Sequence, residues 1–205
     1  MTRKIPLALW TVRLLAIWTI VAVGPVWAES PPPSLIDALR DGGYVLLMRH
    51  ASSPAKPPEQ GMADPENVTG ERQLDAKGRA TAQAMGQRLR ALHIPVGQVF
   101  SSPTYRARET VRLAGFGPPV SALQLGDQGQ NMARIEGEGP TSWLRAKVAE
   151  VPPHGRNAIL VTHMPNIVAA FPDLAGDLQD GETLVFKPDG KGQAQMIAKV
   201  RIEEW

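Results

Sequence analysis

The apolar positions of this chain fall into a few distinct patterns. Residues 45–48 (Val-Leu-Leu-Met) and 158–161 (Ala-Ile-Leu-Val) are unbroken apolar runs, the pattern of strands covered on both faces. Ala82, Met85, Leu89 and Leu92 recur at helical spacing, which predicts an amphipathic helix from an Asp75 cap to about His93. Residues 98–100 read as a short strand. Residues 182–187 and 193–202 flank Pro188-Asp-Gly-Lys-Gly192, the turn chemistry of a hairpin.

Local signals fill in the rest. Residues 34–40 read as a short helix with Ser34 as N-cap, ended by Gly42 and Gly43. Ser102-Pro103 carries the signature of a cap followed by an N1 proline. Residues 143–150 read as a helix, and Pro165 starts another to about Phe171. Residues 115–140 are rich in Gly and Pro and read as irregular. Residues 51–73 hold four prolines and two glycines, a loop of a length that in compact domains usually serves function. Strands alternating with helices predict an α/β fold: a three-layer α/β/α sandwich with a mostly parallel central sheet and the hairpin as its antiparallel edge.

The first residues stand apart from this domain. Arg3, Lys4 and Arg13 precede an apolar run at 14–23, and Val26-Trp27-Ala28 puts small residues at the −3 and −1 positions of a cleavage site. Residues 1–28 therefore read as a secretory signal peptide, too short in its apolar run for a spanning helix. Residues 29–33, Glu-Ser-Pro-Pro-Pro, read as a stiff linker, and 34–205 as one domain. The expected address is the periplasm or another exported location, with no membrane span in the mature chain.

Removing the leader changes the charge. It carries three basic residues and no acidic one, so the formal +2 becomes −1. The basic balance belongs to targeting, and nucleic acid is not expected as a partner. The chain has no cysteine, which excludes thiolate metal sites and thiol catalysis.

In open α/β sheets ligands sit beyond the carboxyl ends of the strands. Three predicted strands end there in matched chemistry. The first ends at Arg49-His50, the second leads through Ser101-Ser-Pro-Thr-Tyr to Arg106, and the third ends at His163. Arginine's planar fork fits pairs of phosphate oxygens, helix N-termini offer further N–H donors, and a neutral histidine can act as nucleophile beside cations that lower its pKa. The sequence has neither an acidic metal cluster nor a Gly-rich loop ending in Lys-Ser/Thr, so no cofactor or metal is expected. His93 and His154 read as surface residues, Trp143 as core, and Arg108 as facing away from Arg106. Ser52 and Ser53 are within reach as phosphate donors or as ordinary loop residues.

Taken together, Val45-Leu-Leu-Met-Arg49-His50-Ala51, Ser102-Pro-Thr-Tyr-Arg106-Ala-Arg-Glu-Thr110 and Leu160-Val-Thr-His163 resemble the histidine phosphatase, or phosphoglycerate-mutase-like, superfamily. Gln73-Leu-Asp-Ala-Lys-Gly78 is similar to the segment before that family's first long helix. The resemblance implies that His50 is the nucleophile, forming a phosphohistidine, and that Arg49, Arg106 and His163 surround the phosphoryl oxygens. It implies a metal-independent phosphatase of small-molecule or envelope phosphoesters. The alternatives are a mutase-like phosphotransferase and a non-catalytic phosphate-binding relative. Two departures stand out. Ala51 occupies a position usually held by Gly, tolerable if its φ is negative. Met164-Pro-Asn166 lacks the His-Asp pair of the acid phosphatase branch, so the proton donor is sought among Asp127, Glu136 and Glu138. Substrate identity and oligomeric state are not legible from these residues.

If residues 1–28 are a cleaved leader, the chain recovered from envelope fractions begins at Glu29. Intact mass checks this, and a membrane-bound product retaining Met1 would overturn it.

Overall fold

The computed structural model describes residues 30–54, 71–127 and 139–205. The expected signal peptide and most of the long loop after His50 lie outside the described residues, as do Glu136 and Glu138.

A six-stranded sheet runs in the order β3-β2-β4-β1-β5-β6. Its members are β1 (Val45–Arg49), β2 (Val96–Ser101), β3 (Val120–Ser121), β4 (Asn157–Thr162), β5 (Thr183–Pro188) and β6 (Ala194–Val200). Strands β1, β2, β3 and β4 pair in parallel, whereas β1/β5 and β5/β6 pair antiparallel. The expected sandwich with an edge hairpin is therefore present.

The unbroken apolar runs have a direct cause. Along β1, Leu46 and Met48 enter one core, and Val45 and Leu47 enter the other, so no position from Val45 to Met48 reaches water. The first core is closed by α1 (Pro33–Asp41), α2 (Ala76–Ala91) and α3 (Tyr105–Ala114). The second is closed by α4 (Pro140–Ala149), α5 (Met164–Ala170) and α6 (Pro172–Ala175).

Several boundaries differ from the sequence expectation. Helix α1 is capped by Pro32 and begins at Pro33, not at a Ser34 cap, because proline's fixed φ suits N1 and its missing N–H costs nothing there. The helix after β2 begins at Tyr105 with Thr104 as N-cap, not at Ser102-Pro103. Ser102 is still held by the sheet, its N–H donating to Val161 O at 2.9 Å. The segment expected to be irregular contributes β3 and a 3₁₀ turn, Leu123–Leu125.

Helix α2 seats the loop that follows the first histidine. Asp75 caps it as predicted, its carboxylate accepting from Gly78 N at 2.7 Å. Gly78 then lies directly against the backbone of Ser52: an added Cβ would fall 2.0 Å from the Ser52 carbonyl oxygen. Farther along, Gly86 brings α2 onto α3, where a Cβ would meet Ala114 O at 1.8 Å. These two contacts fix the distance between the α2–α3 layer and the end of β1.

Gly78→Ala sets two effects against each other. Alanine gains up to about 1 kcal/mol of helix propensity, but overpacking against rigid backbone costs roughly 1–3 kcal/mol. Because Ser52 cannot yield without moving the loop, the second effect is expected to win, lowering the urea midpoint. A midpoint equal to or above wild type would show that the α2–Ser52 contact is loose.

Candidate active site

Strands β1, β2 and β4 are neighbours and end on the same edge of the sheet. Two backbone bonds extend the ladder past the strand ends: His50 N donates to Thr162 O at 3.0 Å, and Ser102 N to Val161 O at 2.9 Å. The residues after β1, β2 and β4 are thus held at one level. They bring His50, Arg106 and His163 into contact.

His50 is 2 % exposed. Its Nδ1 lies 2.8 Å from Ala51 O, and a carbonyl can only accept, so Nδ1 carries the proton and Nε2 the lone pair. Nε2 faces two cations, Arg106 Nε at 3.2 Å and Arg72 Nη2 at 3.4 Å. His163 is oriented the other way round. Its Nδ1 lies 3.1 Å from Arg106 Nη2, a donor, so its proton sits on Nε2, which lies 2.8 Å from Ser102 Oγ. The two rings stand edge to face with centroids 5.2 Å apart.

Arg106 is fully buried. Nε bonds His50, while Nη2 bonds His163 and pairs with Asp127 Oδ2 at 2.5 Å. Its Nη1 is buried and meets no acceptor among the described residues. Arg49 is held from behind, with Nη2 2.6 Å from Asp180 Oδ1 and Nη1 donating to Leu178 O at 2.9 Å.

Burial is the main cause of the electrostatics. It lowers the His50 pKa from 6.5 to about 3, with Arg106 adding most among the charges, then Arg72, and Arg49 least. The sequence argument gave that effect to Arg49, the nearest cation in the chain, whereas the solvent-poor setting and Arg106 dominate. His163 is likewise held well below its ordinary value, first by burial and then by His50 and Arg106. Burial and the neighbouring Arg72 bring Arg106 down to about 10, still charged at neutral pH.

Sequence reasoning missed Arg72, Asp180, Thr104 and Glu71. Arg72 reaches the pocket because Ser53 accepts from its Nε at 2.9 Å, and Ser53 in turn donates to Gln73 O at 2.7 Å. Ser52 donates to Asp75 Oδ2 at 2.7 Å. Both serines therefore brace the loop. Nor is the first amide of α3 turned to the pocket, since Tyr105 N donates to Glu71 Oε2 at 2.5 Å. A cation inside a proline-containing loop carries no periodic signal, so Arg72 had none to give. Asp127 is the one proton-donor candidate that lies among the described residues, and it stands 4.0 Å from His163 Nδ1. Ala51 is fully buried in the first core and is not among the residues with positive φ, so its methyl is accommodated without strain. His93 and His154 are exposed, and Trp143 packs half-buried on the second core.

Residues 45–126 match the family model described as histidine phosphatase superfamily (branch 1). No curated protein matches the chain. Among solved structures it is similar to the protein histidine phosphatase SixA complexed with tungstate, at 17 % identity and TM-score 0.56, covering 78 % of this chain and 97 % of that one. YhfR of Bacillus stearothermophilus matches at 18 % identity and TM-score 0.53, over 76 % and 95 %. The open reading frame Rv3214 product of Mycobacterium tuberculosis matches at 16 % and 0.52, over 78 % and 98 %. At these identities the likeness establishes the fold.

The histidine shift has a consequence for stability. The unfolded chain binds a proton on His50 near pH 6.5 and the folded chain only near 3, so below 6.5 the unfolded state holds more protons. Stability is full above about pH 6.5 and falls as pH drops toward 3, by roughly 2–3 kcal/mol at pH 4.5 from this residue. Urea unfolding at pH 7.5 and 4.5 should therefore show a smaller acid loss in His50→Asn than in wild type. Equal losses would place the buried imidazole outside this linkage.

Proposed function

We propose that this chain, whose residues 45–126 belong to the histidine phosphatase superfamily, hydrolyses a phosphomonoester through a covalent phosphohistidine on His50. One observation carries the reading. Beside a lone pair on His50 Nε2 lies a fully buried arginine with an Nη1 donor that no described residue satisfies. A buried, unpaired guanidinium N–H is costly, and an oxyanion is the ligand that satisfies it. Tungstate, a tetrahedral oxyanion, is bound by the SixA protein of similar fold, which supports the same reading here.

In this mechanism Nε2 attacks phosphorus in line with the leaving oxygen, forming an N–P bond as the ester P–O bond breaks. Arg106, Arg72 and Arg49 take up the charge on the phosphoryl oxygens, and His163, donating through Nε2 to Ser102, holds Arg106 in place. Asp127, a carboxylate paired with Arg106, relays the proton of the phosphomonoester monoanion to the departing alkoxide. Water then attacks the phosphohistidine, passing a proton through Asp127 to the released phosphate and restoring the neutral imidazole. The ring is already neutral at mildly acidic pH, so no deprotonation precedes attack. The leader-like pattern of residues 1–28 supports an envelope address, and with it a small-molecule or envelope phosphoester as substrate.

Alkaline quenching during turnover of p-nitrophenyl phosphate, with chelator present, is expected to trap one phosphate on the His50 peptide and none in His50→Ala. Label on Ser52 or Ser53 would move the nucleophile, and no turnover at all would leave a phosphate-binding relative. In the same assay Asp127→Asn should slow an alkyl phosphate at least tenfold more than p-nitrophenyl phosphate, whose leaving group needs little protonation. Equal slowing would remove Asp127 from the proton-donor role.

A further inference from the structure

We propose that Thr110 is a positioning residue of the reaction, fixing through Ala51 which ring nitrogen of His50 attacks. The inference rests on the assignment of His50 as nucleophile.

Thr110 is fully buried one helical turn beyond Arg106. Its Oγ1 makes two bonds. It donates to Arg106 O at 2.8 Å and accepts from Ala51 N at 3.1 Å, across 59 positions of sequence. The directions are forced, because a carbonyl only accepts and an amide only donates. The bond to the carbonyl one turn back is ordinary for a helical threonine. The bond to Ala51 is not, since it ties the helix carrying Arg106 to the residue that follows the nucleophile.

Ala51 is gripped at three points. Thr110 holds its N–H, the first core holds its methyl, and its carbonyl receives the His50 Nδ1 proton at 2.8 Å. The amide and the methyl fix the carbonyl carbon, and the peptide that follows is held at Ser52, whose carbonyl accepts from Asp75 N at 3.1 Å, so the Ala51 oxygen stays on Nδ1. The proton therefore stays on Nδ1, and the lone pair stays on Nε2, facing Arg106 Nε at 3.2 Å. One hydroxyl thus sets both the tautomer of the nucleophile and its register with the clamping arginine.

Thr110→Val keeps the shape and removes both bonds; Thr110→Ser keeps the bonds and drops a methyl. Thr110→Val is expected to lower kcat by ~10–100-fold, the usual penalty for losing the support of a reacting group, with KM little changed. Thr110→Ser should recover most of that loss. The decisive readout is the ¹⁵N spectrum of the His50 ring: wild type and Thr110→Ser should show the Nδ1–H tautomer, and Thr110→Val a mixture with Nε2–H. If Thr110→Val does not fold, Thr110→Cys, with a weak sulfur donor and acceptor of similar size, takes its place. Lost kcat with the wild-type tautomer would reduce Thr110 to a packing role, and a changed tautomer with unchanged kcat would sever it from catalysis. The spectrum is read without turnover, so it judges Thr110 even if the phosphohistidine is never trapped.

Discussion

A guanidinium with no solvent exposure governs the arrangement of this pocket. Arg106 cannot lose its charge at neutral pH, so its hydrogens need acceptors inside the protein. Two of the groups it finds are imidazole nitrogens, and that choice dictates their state. An acceptor facing Arg106 must keep its lone pair, so His50 and His163 are both held neutral, and each sends its single proton elsewhere: one to Ala51 O, one to Ser102. Protonating either ring would put two donors face to face beside a fixed cation. The tautomers and the orientation of Nε2 agree with an arginine buried between two rings, and that cation adds to the lowering of both pKa values that burial of the rings begins.

The cations of the pocket are each tied to a neighbour, two of them to carboxylates. Asp127 takes Arg106 Nη2 and Asp180 takes Arg49 Nη2, while Arg72 is held through Ser53. Each arginine is thereby fixed in place, so an anion entering the pocket would cost little side-chain entropy. The carboxylates also limit mutual repulsion among three guanidinium groups gathered around one ring. Glu71 contributes to the same balance from the start of α3, where it satisfies the Tyr105 amide and raises the proton affinity of Arg106.

The parts of this site that obey a period were legible in the sequence. Strands β1 and β4 announced themselves because both faces are buried, and their last residues had to be Arg49-His50 and Thr162-His163. The Asp75 cap was readable for the same local reason. What failed to appear depends on tertiary contact. Ser102 looks like a helix cap because serine before proline usually is one, yet its hydroxyl is committed to His163 and its amide to the sheet. Arg72 and Asp180 sit in connecting segments whose composition says nothing about direction, and only the fold turns them inward. Burial as the leading cause of the low His50 pKa is a property of three dimensions too, which is why the neighbour in sequence was credited with it.

Ala51 shows how a departure from a family's habit can be read physically. Glycine after His50 would leave the peptide there free to rotate. In this chain the residue keeps negative φ, and its methyl is enclosed by the first core, so the side chain restricts the very carbonyl that receives the His50 proton. The freedom that glycine offers is useful only where φ must be positive or a backbone must approach closely, and neither applies at Ala51. Both demands of close approach are met instead by Gly78 and Gly86, on the helix that backs this loop. An alanine at 51 is therefore compatible with an ordered His50, and it makes the orientation of that ring a consequence of core packing as well as of hydrogen bonding.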